Sequence, residues 1–259
     1  MQQIRNVTAA LALSTAATLA CADQAQIAVA ANFTAPMKAI IAAFEEDTDH
    51  EVKASYGSTG KLYAQIKNGA PFEALLAADQ KRPMLLEEED VAAPGSRFTY
   101  AIGSLVLWSA DADLVEDGPA LLKAGDFNKL SVANPKLAPY GEAAMQTMEA
   151  LGVKEALEPK LVMGENIAQT YQFVDTGNAK VGFVALSQVM AGGEITKGSD
   201  PLHLLVVPGD LHEPIRQDAV ILESGKDNSA VTELIAYLQG DKARGIIHAF
   251  GYETGASDE

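Results

Sequence analysis

The residues in this chain best suited to chemistry are Gly57-Ser58-Thr59-Gly60, two hydroxyls between two glycines where a strand-like run gives way to a helix-like one. A helix start leaves its first N–H groups without intrahelical partners and carries a positive partial charge, so hydroxyls placed there complete a cradle for an anion. Three other segments stand at the same kind of junction: Ala31-Asn32-Phe33-Thr34, Pro139-Tyr140-Gly141 and Gly164-Glu165-Asn166-Ile167. Each has an ordinary explanation. Gly-Ser-Thr-Gly alone is a turn with a capping hydroxyl, Asn32 a turn residue that tolerates a left-handed backbone, and Tyr140 a surface side chain at a helix start. The Ile167 side chain argues only for a core, so its backbone N–H is the candidate donor. Four such segments in matching places raise the case for one shared anion site.

Competing chemistries lack their residues. His50, His203, His212 and His248 stand far apart with no i, i+3 or i+4 pair, and the single cysteine, Cys21, falls in a leader segment, so zinc-ligand spacing is missing. No G-x-S-x-G elbow occurs; Gly57 and Gly60 have one residue too few between them. Neither G-x-G-x-x-G nor the Walker-type G-x-x-x-x-G-K-S/T is present, which leaves nucleotide binding without support. Glu87-Glu88-Glu89-Asp90 reads as a solvated helix end, and nothing points to a catalytic carboxylate pair.

Residues 1–22 read as a signal peptide. Met1 to Arg5 is a short basic start, Val7 to Ala20 is uncharged, and Ala20-Cys21-Ala22 fits the small-x-small pattern of a cleavage site. Acylation of Cys21 would instead make a lipoprotein, but Thr18 stands where a bulky aliphatic is expected, so export of a soluble, periplasmic protein beginning near Asp23 is the expectation. Cleavage removes the cysteine, and the mature chain must then be held by its own core rather than by disulfides. The formal net charge is −16, and cleavage removes Arg5 and no acid, leaving −17. This charge disfavours nucleic acid and anionic membrane surfaces as partners, and any bound anion must be held by local donors against the field of the whole molecule.

The elements that must position these segments alternate strand and helix. Ile27 and Val29 form a strand, Thr34 and Pro36 a helix start, and Met37, Ile40, Ile41 and Phe44 one helix face. Val52, Ala54 and Tyr56 lead into Gly57; Leu62 and Ile66 face one way on the next helix; Ala74 to Ala78 is a buried strand. The grammar resumes with a strand at Leu130 to Ala133, a helix through Ala144 and Met148, a strand at Leu161 to Met163, and strands at Val181 to Ala185 and Leu204 to Val207. Tyr100 to Ser109 and Ile215 to Leu222 are long strand-like segments suited to join two halves without a linker. The spacing predicts an α/β fold of two lobes, each a sheet flanked by helices, with two crossing strands as a hinge and the C-terminal helices returning to the first lobe. The expected division is lobe I at 23–103 with 217–259 and lobe II at 104–216. Ligands of open α/β sheets bind outside the carboxyl ends of strands, which gathers the four segments around one cleft.

These residues are similar to a known family. Ala31-Asn32-Phe33, Gly57-Ser58-Thr59-Gly60, Tyr63-Ala64-Gln65-Ile66, Asn68-Gly69-Ala70-Pro71 and Ala77-Ala78-Asp79 resemble the periplasmic molybdate-binding proteins that serve ABC importers. So do Pro94 to Gly103, Asn134-Pro135, Ala138-Pro139-Tyr140-Gly141 and Gly182 to Leu186, so the likeness runs through nearly all of the mature chain. The resemblance implies the two-lobed type II binding-protein fold, no enzymatic activity, no cofactor, an ABC-transporter permease as partner and a monomer. It implies that molybdate or tungstate, its metal bound only as the oxyanion, is held by neutral donors from the Asn32 loop, Ser58, Thr59 and the backbone N–H groups of Tyr140 and Ile167. Thr59 aligns best with the family's hydroxyl ligand. Two positions depart: many members have serine where Asn32 stands, and some donate from a tyrosine where this chain has Ala185. The alternatives are another tetrahedral oxyanion, sulfate or phosphate, and an exported ester hydrolase using Thr59 or Ser58 as nucleophile.

Overall fold

The computed structural model describes residues 23–111, 114, 115, 117–196 and 204–254, so the leader with Cys21, and also His203, lie outside the described residues. The chain begins with β1 (Gln24–Ala30), a 3-10 turn at Ala31–Phe33, α1 (Thr34–Asp47), β2 (Glu51–Gly57), α2 (Thr59–Lys67), β3 (Ala74–Leu76) and α3 (Lys81–Glu88). Next come β4 (Phe98–Gly103), β5 (Leu105–Trp108), α4 (Gly118–Ala124), β6 (Leu130–Ala133), α5 (Pro139–Ala150) and α6 (Lys154–Leu157). Then follow β7 (Leu161–Gly164), α7 (Ile167–Asp175), β8 (Val181–Ala185) and a short hairpin, β9 (Met190–Ala191) and β10 (Glu194–Ile195). The described chain closes with β11 (Leu204–Val206), β12 (Ile215–Ile221), α8 (Ser229–Leu238) and α9 (Asp241–Ala249).

Two five-stranded mixed sheets result. The first has the order β2-β1-β3-β12-β4, with β1 parallel to β2 and β3 and β12 antiparallel to β3 and β4. The second has the order β11-β5-β8-β6-β7, with β6 parallel to β7 and β8 and β5 antiparallel to β8 and β11. Successive residues of a strand point to opposite faces, and helices cover both faces, so the central strands are apolar on both. In the first sheet Ile27, Val29, Ala74, Leu76 and Ala219 face the layer that contains Met37 and Phe44 of α1, Leu234 of α8 and Ile247 of α9. Ala28, Leu75 and Val220 face the opposite layer, with Leu62 and Ile66 of α2 and Leu86 of α3. In the second sheet Leu105, Leu107, Phe183 and Val132 meet Tyr140, Ala144 and Met148 of α5, while Val106, Trp108 and Val184 meet Val174 of α7. Among the described residues no helix is long and apolar enough to cross a membrane.

The crossings differ in detail from the sequence expectation. Tyr100 to Ser109 is not one strand: it divides at Ser104, and its halves belong to different sheets. Ile215 to Ile221 lies wholly in the first sheet, and residues 207–214 make the second crossing. Thr34 does not cap α1. Phe33 holds the N-cap position, and Thr34 Oγ1 donates to Ala31 O at 2.8 Å, closing the 3-10 turn instead.

The sheets lean on each other through the ends that carry the four helix starts. Gly60 N–H donates to Leu137 O at 2.9 Å, Lys61 Nζ lies 2.6 Å from Glu165 Oε2, and an Arg82 guanidinium N–H donates to Lys136 O at 3.1 Å. The first turn of α5 is seated hard against β6: a Cβ added at Gly141 would lie 2.2 Å from the Ala133 carbonyl oxygen. Backbone cannot move aside as a side-chain tip can. Gly141→Ala is expected to lower stability by about 1–3 kcal/mol, read as a fall in the urea midpoint at unchanged slope.

Candidate functional site

Asn32, Ser58, Thr59, Tyr140 and Ile167 line one cavity, together with Ala30, Ala31, Gly57, Ala78, Ala138, Pro139 and Asn166. No carboxylate, lysine, arginine or histidine is among these lining residues. The cavity is small, about 10 Å³, which is space for roughly one water. Its walls are the starts of three α-helices and the 3-10 turn, each at the carboxyl end of a strand. First-turn N–H groups have no intrahelical partner, so the walls are donor-rich while carrying no net charge.

The hydroxyls of the α2 start have different situations. Ser58 is the N-cap, in an extended conformation (φ −69°, ψ 143°), a position where a hydroxyl normally bonds the N–H of the next turn. Here it makes no cap bond, and its Oγ is a buried polar atom with no hydrogen-bond partner. Ser58 is only 3% exposed. Leaving a buried hydroxyl unpaired costs about 1–3 kcal/mol, so such an atom needs a reason. Thr59 Oγ1 accepts from Ala78 N–H at 3.0 Å, which leaves its proton for another acceptor.

The lobe II donors are set differently. Asn166 caps α7 by accepting from Gln169 N–H at 2.9 Å, which fixes the turn that begins at Ile167. Gln188 Nε2 donates to Ile167 O at 3.0 Å from the other side, while Gln188 Oε1 accepts from Ala185 N–H at 2.9 Å. Ala185 is fully buried at the end of β8 and does not line the cavity. α5 begins at Pro139, whose missing N–H costs nothing at that position, and Tyr140 follows it.

The Asn32 side chain is turned into the protein behind the cavity. Its Nδ2 donates to Gln217 Oε1 at 2.8 Å and to Tyr252 OH at 2.9 Å, so both amide hydrogens are committed away from the cavity. The Asn32 carbonyl accepts from Ser187 Oγ at 2.8 Å and Tyr252 OH at 3.0 Å. The loop can therefore offer an anion its backbone N–H groups, held in place by its side chain. Behind it runs a buried network: Tyr100 OH shares its one hydrogen between Ala77 O at 2.9 Å and Gln217 Oε1 at 3.1 Å, and Gln217 Nε2 donates to Tyr140 OH at 3.3 Å. Sequence reasoning missed Gln217, Tyr252, Tyr100 and Ser187. One signal was present: Arg216-Gln217-Asp218, three polar residues in a row inside a strand whose other positions are apolar.

Burial pushes the phenols of Tyr100 and Tyr140 well above the ordinary tyrosine range, with the neighbouring Tyr252 adding to both. Burial also raises Tyr252, against hydrogen bonds from Ser187, Asn32, Tyr140 and Gln217 that favour its ionised form. For such groups the unfolded chain ionises first. Their stabilising contribution is whole below the unfolded pKa of about 10 and is lost as pH rises past it. The urea midpoint should hold up to about pH 9 and fall above about pH 10. Phenolate absorbance from these three tyrosines should appear only with loss of near-ultraviolet circular dichroism. Their ionisation near pH 10 in the intact fold would contradict their burial.

Comparison with known proteins agrees with this architecture. The profile of the family described as bacterial extracellular solute-binding protein matches residues 25–253. The molybdate-binding protein ModA of Azotobacter vinelandii is 59% identical over 237 residues, 90% of this chain and 92% of its own length. ModA of Rhodobacter capsulatus is 48% identical over 254 residues, covering 98% of both proteins. Among solved structures, a periplasmic molybdate-binding protein of A. vinelandii superposes with a TM-score of 0.83 at 36% identity, over 88% of this chain and 98% of its own. Two mixed sheets, four helix starts around one neutral cavity and a match over almost every described residue lead to one assignment: the chain belongs to the bacterial extracellular solute-binding proteins, with the ModA proteins as relatives in that family.

Proposed function

We propose that this protein captures a tetrahedral dianionic oxyanion, molybdate with tungstate as its near equivalent, between its lobes and delivers it to the permease of an ABC importer. The observation that carries the reading is the buried, unpartnered Ser58 Oγ at the start of α2, in a cavity without a charged wall. An anion there would satisfy it. The names of the relatives, molybdate-binding proteins in Azotobacter and Rhodobacter, support the choice of ligand.

The physics of capture follows from the donor set. Removing a dianion from water is prohibitive unless fixed donors replace its hydration. Ser58, Thr59 and the first-turn N–H groups at Asn32, Tyr140 and Ile167 supply them from both lobes, and each such bond to a charged group contributes about 1.5–3 kcal/mol. The absence of a carboxylate wall penalises a protonated ligand, whose O–H would have no strong acceptor. The cavity walls come from both lobes, so loading requires the lobes to part about the crossings at Ser104 and residues 207–214. The closed, loaded form is then the one the permease reads.

The protein is a carrier rather than an enzyme, acting as a monomer in the periplasm after loss of residues 1–22, and it needs no cofactor. A hydrolase would require a base within hydrogen-bond reach of its nucleophile, and Ser58 Oγ has no partner of any kind.

Calorimetry and thermal shift test the reading together. Molybdate at a hundredfold excess over Kd should stabilise the fold by about 2.7 kcal/mol. Ser58→Ala should weaken binding about ten- to hundredfold, the loss of one hydrogen bond to a charged ligand, while leaving the unliganded melting temperature unchanged or raised. A silent response to both molybdate and tungstate defeats the proposal, and displacement of molybdate by equimolar sulfate or phosphate shifts it to those anions.

A further inference from the structure

β12 carries three consecutive polar residues, Arg216, Gln217 and Asp218, and the last two are wholly buried. The register of β12 against β4 shifts between those two, a bulge that re-aims neighbouring side chains. Asp218 stays within the first sheet's surroundings, accepting from Arg97 at 2.7 Å, Thr99 Oγ1 at 2.7 Å and Gln80 Nε2 at 3.2 Å. Gln217 turns the other way, to the floor beneath the cavity. There it joins Asn32, whose loop is one wall, to Tyr140, whose helix start is the facing wall. Gly103 makes the space: a Cβ at that position would stand 2.0 Å from Tyr140 OH and 2.6 Å from Gln217 Nε2.

From this arrangement we propose that Gln217 is a positioning residue for the ligand, holding the Asn32 turn of one lobe and the α5 start of the other in the register an oxyanion needs, without touching it. The inference rests on the anion-binding reading above. An amide is the side chain that meets both demands. Asn32 and Tyr100 approach its oxygen with hydrogens, and Tyr140 receives a hydrogen from its nitrogen. A glutamate would offer acceptors to all three and, when ionised, place a charge of the ligand's own sign under the cavity. A methionine would fill the volume and make none of these bonds.

The titratable groups around Gln217 are Tyr100 on β4, Tyr140 on α5 and Tyr252, all neutral near pH 7 with pKa values raised by burial. Asp218 is turned to Arg97, and Asp79, which also acts on Tyr100, is paired with Arg82. The three tyrosines, raised by burial, gain no charge between about pH 6 and 8.5, so wild-type affinity should be flat there.

The test is calorimetric titration with molybdate of wild type, Gln217→Glu and Gln217→Met across that range, with melting temperatures of the unliganded proteins to show that each is folded. Gln217→Glu should bind about a hundredfold more weakly at pH about 8. It should recover at least about tenfold by pH about 6, because burial raises the carboxyl pKa and the protonated acid again offers one donor and one acceptor. Gln217→Met should be about tenfold weaker at every pH. A role in stability alone would lower the melting temperatures and leave no pH-dependent affinity. Wild-type affinity in a folded Gln217→Glu, flat in pH, overturns the inference. If that variant does not fold, wild-type affinity in Gln217→Met does so. Failure of the wild type to bind molybdate or tungstate removes the anion reading and this inference with it, whereas normal binding by all three removes the inference alone.

Discussion

A helix cannot satisfy its own first N–H groups, and the whole architecture turns that deficit into a use. Each sheet delivers strands whose carboxyl ends give way to helices at one edge, and leaning the two edges together collects four such starts around a single point. Donors of this kind bring partial charge without counter-charge, so they can surround an anion in a molecule whose formal net charge is −16. Arginine or lysine would bind more strongly and release more slowly. Neutral donors suit a carrier that must give its cargo up.

The cradle is rigid because what lies behind it is polar and fully paired. Asn32, Gln217, Tyr100, Tyr140, Tyr252 and Ser187 form a buried network whose members come from both lobes. Buried polar groups impose direction as well as distance, so the network admits few arrangements, whereas an apolar floor would admit many. The apolar layers on the outer faces of each sheet supply the bulk of the stability. The two kinds of packing divide the labour: apolar layers hold each sheet, and the polar network directs how the lobes meet.

Much of this was legible in the residues, for reasons that can be named. Met37, Ile40 and Phe44 recur at helical spacing because α1 buries one stripe, and Ile27 and Val29 alternate because they share one face of β1. The four helix starts could be found because glycine, proline and hydroxyl residues concentrate where strands end. The break at Ser104 could not. Leu105 to Trp108 is as strand-like as Phe98 to Gly103, and nothing local says that one residue between them changes sheets. Nor could the ranking of the two hydroxyls be read locally. Thr59 is partly engaged by Ala78, nineteen residues on, while Ser58 is left unpaired, and that contrast exists only once β3 lies beside the α2 start. Gln217 and Asn32 are 185 residues apart, so their bond has no sequence signature beyond a run of three polar residues in β12.

The front and back of the cleft are secured unequally. At the mouth, beyond the single backbone bond from Gly60 to Leu137, the ion pair of Lys61 and Glu165 is half solvated, with side chains 45% and 67% exposed. Such pairs are worth roughly 0–1 kcal/mol, because water replaces each partner as they separate. The floor has no such substitute at hand. The two lobes are therefore latched lightly at the front and tied firmly at the back, like a door with a stout axle and a flimsy bolt.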